Sequence, residues 1–171
     1  MIARDIMVAD VPAVSPDTSL GDVASLMVER RLDGVPVTDR DGRLLGLITA
    51  ADFLRLLLPN RVRFLDVDLY LGPLRLHQEL LQEIADVRAA DVMHRAIPTV
   101  DPDAPLAQII GLLSQHAGGL LPVMETGKLA GVIRAIDVVK LFGRWASDPR
   151  GPSPAGAEAP EEAEAPEEAE P

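Results

Sequence analysis

The chain has 171 residues, 47% of them hydrophobic, no cysteine and a formal charge of −11. That length suits one domain with a sizeable core rather than two independent ones, and the lack of cysteine removes disulfides, thiolate nucleophiles, Fe–S clusters and the commonest zinc ligands together. Residues 148–171 carry eight acids and one arginine, a net of −7, which leaves −4 for residues 1–147 and no clustered basic face of the kind a nucleic-acid binder uses.

No run of eighteen apolar residues is present to span a membrane, and Met1-Ile2-Ala3-Arg4-Asp5 reaches charge without the apolar core of a secretory signal. The expectation is a cytoplasmic protein with neither membrane nor nucleic acid as a partner.

In chain order, residues 3–12 read as a lead-in, with a helical turn at Asp5-Ile6-Met7 and Pro12 fixing an extended approach to Val14. Ser15-Pro16-Asp17-Thr18-Ser19 supplies turn chemistry and N-caps for a helix whose apolar face is Leu20, Val23, Ala24, Met27 and Val28. Leu32-Asp33-Gly34 ends that helix, with Gly34 suited to positive φ. Val35-Pro36-Val37-Thr38 is a strand, Asp39-Arg40-Asp41-Gly42 a hairpin turn, and 43–49 the partner strand. Gly46-Leu47-Ile48-Thr49-Ala50-Ala51-Asp52 then hands over to a helix from Phe53 to Leu58, with Asp52 in its first turn. There the helix dipole favours a carboxylate, either as a cap or as an acceptor turned to a ligand.

Pro59 stops that helix, and Gly72-Pro73 is turn punctuation. Residues 74–85 show helical apolar spacing through Leu74, His77, Leu80, Leu81 and Ile84, with His77 a half-buried packing residue. A second run of elements follows: a helix with Leu106, Ile109, Ile110 and Leu113 on one face, an end at Gly118-Gly119, and a hairpin of 120–123 and 128–133. A closing helix runs from Ile136 to Phe142. From Asp148 onward the Pro, Gly, Ala and Glu composition cannot repay the entropy of ordering, so a disordered tail is expected over 148–171.

The chain matches itself. Ala3, Asp5, Met7, Pro12, Val14, Pro16, Asp17, Leu20 and Pro36 fall on Ala89, Asp91, Met93, Pro98, Val100, Pro102, Asp103, Leu106 and Pro122 at a constant offset of 86. After a one-residue deletion in the second turn, Gly46, Ile48 and Asp52 meet Gly131, Ile133 and Asp137. This is a tandem duplication of a unit ordered strand, helix, strand, strand, helix. A unit of roughly fifty residues buries little surface alone, so the copies are expected to pack on each other.

The Val14-Ser15-Pro16-Asp17-Thr18-Ser19-Leu20 segment, the Asp33-Gly34-Val35-Pro36-Val37 strand, the Asp41-Gly42-Arg43-Leu44 turn and the Gly46 to Asp52 close resemble the CBS motif (cystathionine beta-synthase domain). The second copy resembles it in register. The resemblance implies an α+β CBS pair, or Bateman module, over 1–147. Motif one is 2–58, the insert 59–88 and motif two 89–144, with a pseudo-twofold axis between the motifs and adenosine compounds such as AMP, ATP or S-adenosylmethionine in the clefts.

A carboxylate is matched to a ribose diol and a Thr hydroxyl to a phosphate, and by resemblance Thr49 and Asp52 take these positions, with Leu47 beside them. Strand edges at Val35-Pro36 and Leu121-Pro122 offer an apolar adenine slot. By resemblance each cleft is also lined by the other motif's lead-in, near Met7 and near Met93-His94. Asp137 matches Asp52, but Arg134 stands where a hydroxyl residue is expected, and it either pairs with Asp137 and closes the second site or reaches a di- or triphosphate.

The expected function is therefore a non-catalytic regulatory module that binds an adenosine nucleotide and signals to a separate protein. A structural or dimerisation module without ligand is the alternative. No histidine lies in either Asp-bearing segment, and no Walker-type loop occurs, so an enzyme is not expected, nor a metal or any cofactor beyond the nucleotide. Apolar helix faces, including Leu80, Leu81 and Ile84 of the insert, point to a homodimer.

Overall fold

Two copies of one unit follow each other in a computed structural model that describes residues 1–57, 78–115 and 119–147, together with the backbone of two short strands in the insert. The first copy comprises α1 (Ala3–Ile6), α2 (Leu20–Arg30), β1 (Gly34–Thr38), β2 (Leu44–Thr49) and α3 (Ala50–Leu57). After β3 (Arg61–Phe64), β4 (Val67–Tyr70) and α4 (Gln78–Asp86), the second repeats the order as α5 (Ala89–Val92), α6 (Leu106–Gln115), β5 (Leu120–Glu125), β6 (Lys128–Arg134) and α7 (Ala135–Ser147). The stop at Pro59, the Gly72-Pro73 turn, His77, Gly118 and the 148–171 tail lie outside the described residues.

Each motif's sheet is an antiparallel hairpin, β1 with β2 and β5 with β6, and both carry a register shift at equivalent places, after Val37 and after Val123. The strand expected at the start of each unit is reduced to one residue: Val14 bridges Val37 and Val100 bridges Val123, both in parallel. Pro12 and Pro16, and Pro98 and Pro102, flank these residues. Proline has no N–H to give a ladder, so pairing does not extend.

Local chemistry sets the helix ends. The Ser19 hydroxyl accepts from the Asp22 N–H at 3.1 Å and caps α2. The left-handed residue that ends α2 is Arg31, φ 53°, and not the expected Gly34. Gly34 instead opens β1, where an added Cβ would lie 2.8 Å from the Ile48 carbonyl oxygen. Leu20, Val23 and Met27 are buried from α2 and Ile109 from α6. Val28 and Ile110, expected on those faces, are exposed because each lies about 100° around the helix from its buried neighbour.

The motifs are tied by exchanging their lead-ins. Ala3 and Arg4 donate to the carbonyls of Ala104 and Pro102 at 2.9 Å each, while Ala89 and Ala90 donate to Thr18 and Pro16 at 2.8 and 2.9 Å. Further in, Val8 and Val132 exchange two backbone bonds of 2.9 and 3.0 Å, and Leu47 and His94 exchange two of 3.0 Å. Side chains follow the backbone. Ala89 and Met93 are buried in the core of motif one with Val23, Val35, Val37 and Ile48, and Ala3 in the core of motif two with Ile109, Leu121, Val123 and Ile133. A third cluster of Leu47, Leu120 and Val132 joins the two.

Among the described residues the insert forms a hairpin and the helix α4, which covers 78–85 of the helix expected over 74–85, with 74–77 outside the described residues. β3 and β4 pair antiparallel from Arg61 opposite Tyr70 to Phe64 opposite Val67. α4 packs on α2 where an added Cβ at Gly21 would sit 3.4 Å from Ala85, and Ile84 joins the first core. Leu81 remains exposed.

Gly46 and Gly131 are equivalent, yet they meet different neighbours. An added Cβ at Gly131 would lie 2.6 Å from the Val8 carbonyl oxygen, whereas at Gly46 it would meet the Met93 side chain, Sδ at 2.6 Å. A thioether moves more readily than backbone. Gly131→Ala is therefore expected to cost about 2–3 kcal/mol and Gly46→Ala about 1–2 kcal/mol, measured by urea unfolding.

Candidate ligand clefts

Thr49 ends β2 and Asp52 sits in the first turn of α3, both buried. Asp52 Oδ2 accepts from the Thr49 N–H at 2.8 Å and from its hydroxyl at 2.9 Å. That is the capping role. Asp52 Oδ1 points the other way and accepts from Arg55 Nη1 at 2.8 Å and from His94 Nε2 at 2.6 Å. A carboxylate has only acceptor sites, so the proton in the His94 bond lies on Nε2. The approach of Arg55 Nη1 to the same nitrogen at 3.3 Å is then not a hydrogen bond.

The second turn is built from its own strand. Asp137 Oδ2 accepts from the Arg134 N–H at 3.2 Å and from Arg134 Nε at 2.8 Å, while Oδ1 accepts from Arg134 Nη2 at 2.8 Å and Lys140 Nζ at 3.2 Å. The guanidinium forks both oxygens, the strongest geometry such a pair has. Burial pushes the Asp52 carboxyl up, but the Thr49 N–H, His94 and the Thr49 hydroxyl outweigh it and hold the group below the ordinary carboxylate value. For Asp137 burial is likewise outweighed, by Arg134 and Lys140.

A cavity of about 60 Å³ lies beside Arg134, lined among others by Val8, Val11, Asp33, Gly34, Leu120 and Val132. Ligand pockets for molecules of nucleoside size run to roughly 300 Å³ and more, so this cavity is small beside them. Among the described residues no group of three or more His, Cys, Asp or Glu is arranged to hold a metal, and no helix is long and apolar enough to cross a membrane.

The sequence model of the CBS domain family matches residues 3–59 and 89–144. The chain belongs to the CBS domain family. Its two motifs form a CBS pair with small antiparallel sheets, as in solved CBS-pair structures. Among curated relatives, it is 31% identical over 142 residues to the uncharacterised protein MJ1225 of Methanocaldococcus jannaschii, across 82% of this chain and 47% of that one. It is 27% identical over 153 residues to MJ1426 of the same organism, across 82% of this chain and 90% of that one. The chain thus spans about half of MJ1225 and most of MJ1426.

Among solved structures, AcuB of Vibrio cholerae, named for acetoin utilization, superposes with a TM-score of 0.68 at 22% identity, covering 90% of this chain and 98% of that one. CBSX2 in complex with AMP superposes with a TM-score of 0.64 at 24% identity, covering 85% and 98%. The CBS pair of MJ0100, in complex with 5-methylthioadenosine and S-adenosylmethionine, gives 0.61 at 19% identity, covering 84% and 97%. Likenesses at these identities establish the fold.

Within the CBS pair, Thr49 with Asp52 and Arg134 with Asp137 occupy the two equivalent strand-to-helix turns. Leu47 lies in the cluster between the motifs. The residues expected to offer an adenine slot do not line this cavity. Val35, Pro36, Leu121 and Pro122 are fully buried, and it is Gly34 and Leu120 that line the second cleft's cavity. Alternation along a strand sets Gly34 and Leu120 on the opposite face from Val35 and Leu121. The methionines likewise lie with the cores: Met93 is buried in the first core and Met7 packs against the second. The lead-ins face the clefts through the next residues, Val8 and His94. Sequence reasoning placed His94 beside a cleft without a partner, since nothing local links it to Asp52, 42 positions away.

Because the folded Asp52 value lies below the ordinary one, its contribution to stability is complete above about pH 3.9 and is lost as pH falls through the folded value. Asp52→Asn is expected to cost about 1–3 kcal/mol at neutral pH, the size of a charge-assisted bond. The gap from wild type should narrow near pH 3 in urea titrations at both pH values.

Proposed function

We propose that this CBS pair is a regulatory module without catalysis of its own, which binds an adenosine compound at the first cleft and signals to a separate protein. The observation that carries the reading is the Thr49–Asp52 turn, where a buried, ionised carboxylate keeps one oxygen for capping and aims the other out of the helix towards the lead-in of motif two. That oxygen suits a ribose hydroxyl, and the Thr49 hydroxyl stands beside it. The CBS pairs of CBSX2 and MJ0100, solved with AMP and with S-adenosylmethionine, support the ligand class.

The first cleft is the one that binds, and AMP is the favoured ligand. Arg134 occupies both oxygens of Asp137 and narrows the second cleft, so that site binds weakly or not at all. The same closure favours a second reading, a structural CBS pair in which both carboxylates serve as caps. A panel of adenosine and guanosine compounds in a thermal-shift assay separates the two. Ligand at a hundred times its dissociation constant adds about 2.7 kcal/mol, and a flat response at millimolar concentrations leaves only the structural reading. In calorimetry with AMP, Asp52→Ala is expected to lose roughly 1.5–3 kcal/mol of binding, and Asp137→Ala little.

The pair is also proposed to be a homodimer through its closing helices. Ile136, Val139 and Phe142 recur on one side of α7 with exposures of 46, 59 and 69%, and Leu54 of α3 is 62% exposed. Large side chains at that spacing form a stripe suited to a partner helix. Light scattering at tens of micromolar is expected to report a dimer for the wild type and a monomer for the Val139→Asp, Phe142→Asp double variant.

A further inference from the structure

The two clefts saturate the same acceptor in different ways. An ionised carboxylate offers about four lone-pair positions, and Asp52 fills them with the Thr49 N–H, the Thr49 hydroxyl, Arg55 and His94. A ribose diol brings two further O–H donors. It therefore reaches Asp52 only if donors already present leave. The Thr49 N–H lies at the end of β2, where Asp52 caps the start of α3, and the Thr49 side chain is buried, so Oδ2 does not change partners without undoing that strand-to-helix junction. The exchange falls on Oδ1, whose partners are half exposed: the Arg55 side chain by 42% and that of His94 by 54%.

His94 differs from Arg55 in what its departure requires and in what it reports. Its backbone is held by the paired bonds to Leu47, so the imidazole leaves Oδ1 by rotation of its side chain alone, without moving the wall of the cleft. It is also the donor on Asp52 that comes from the other motif. In the second cleft the equivalent residue is Val8, which has no side-chain donor, and the carboxylate is held by Arg134 of its own strand, 26% exposed and bound to both oxygens. One latch is single and exposed; the other is double and covered.

We propose that His94 is a displaceable latch, which occupies the ribose acceptor of the first cleft in the unliganded protein and gives up Oδ1 of Asp52 to the ligand's diol. The inference rests on the first cleft being the adenosine site. Affinity is then set by a competition within the chain, between the His94 imidazole and the ligand's hydroxyls for one oxygen of Asp52.

The test is calorimetry of the full chain with adenosine, which has no phosphate to attract an imidazole, on the wild type, His94→Ala and His94→Gln. His94→Ala is expected to bind roughly three- to tenfold tighter, the size of a half-exposed charge-assisted bond, while its unliganded melting temperature falls. His94→Gln restores a donor and is expected to return affinity towards wild type. A purely structural role does not raise affinity while lowering stability. In the wild type, adenosine should also shift the 15N resonance of the His94 imidazole, assigned by its absence in His94→Gln. Wild-type binding with unchanged or weaker binding by His94→Ala, or an imidazole resonance that ligand does not move, overturns the latch alone. Failure of wild type and His94→Ala both to bind any adenosine compound overturns the ligand assignment and the latch with it.

Discussion

The exchange of lead-in segments between the two motifs is the constraint on which the other features depend. Each motif's core is completed by alanine and methionine from the chain that precedes the other motif, and each exchange is secured by backbone hydrogen bonds: Val8 with Val132, Leu47 with His94. A unit of about fifty residues exposes too much of its surface to be stable alone. The exchange supplies the missing burial and leaves the pieces mutually dependent, so the pair is expected to unfold as one cooperative body.

The same exchange builds the clefts. Because the lead-in of one motif runs alongside β2 or β6 of the other, the residue after each lead-in methionine is set down in the cleft of the opposite motif. In one cleft that residue is His94, and in the other Val8. Two turns with the same backbone and the same aspartate therefore acquire different chemistry: a carboxylate shared across the motif boundary and a carboxylate locked by its own strand. Both remain ionised below the ordinary carboxylate range, through different partners.

Exposed apolar surface is distributed unevenly. Three large apolar side chains, Ile136, Val139 and Phe142, are exposed on α7, whereas α2, α3 and α6 expose one each, Val28, Leu54 and Ile110. The insert adds a helix that packs on α2 and closes the first core from outside, and among the described residues motif two has no equivalent element.

The sequence by itself determined whatever depends on neighbours along the chain. The duplication, the order of elements, the Ser19 cap, the hairpin turn at Asp39-Arg40-Asp41-Gly42, and the proximity of Arg134 to Asp137, three residues apart on one turn, all follow from local spacing. Even there, steric contact intervened: Gly34 was needed for a close approach to Ile48, and the left-handed position passed to Arg31. Only the tertiary structure decided that Val35 and Leu121 turn inward while Gly34 and Leu120 line a cavity, since alternation defines two faces without saying which is covered. Only the tertiary structure placed His94 on Asp52, because a contact between residues 42 apart is made by the packing of one motif on the other, and no periodicity within either motif records it.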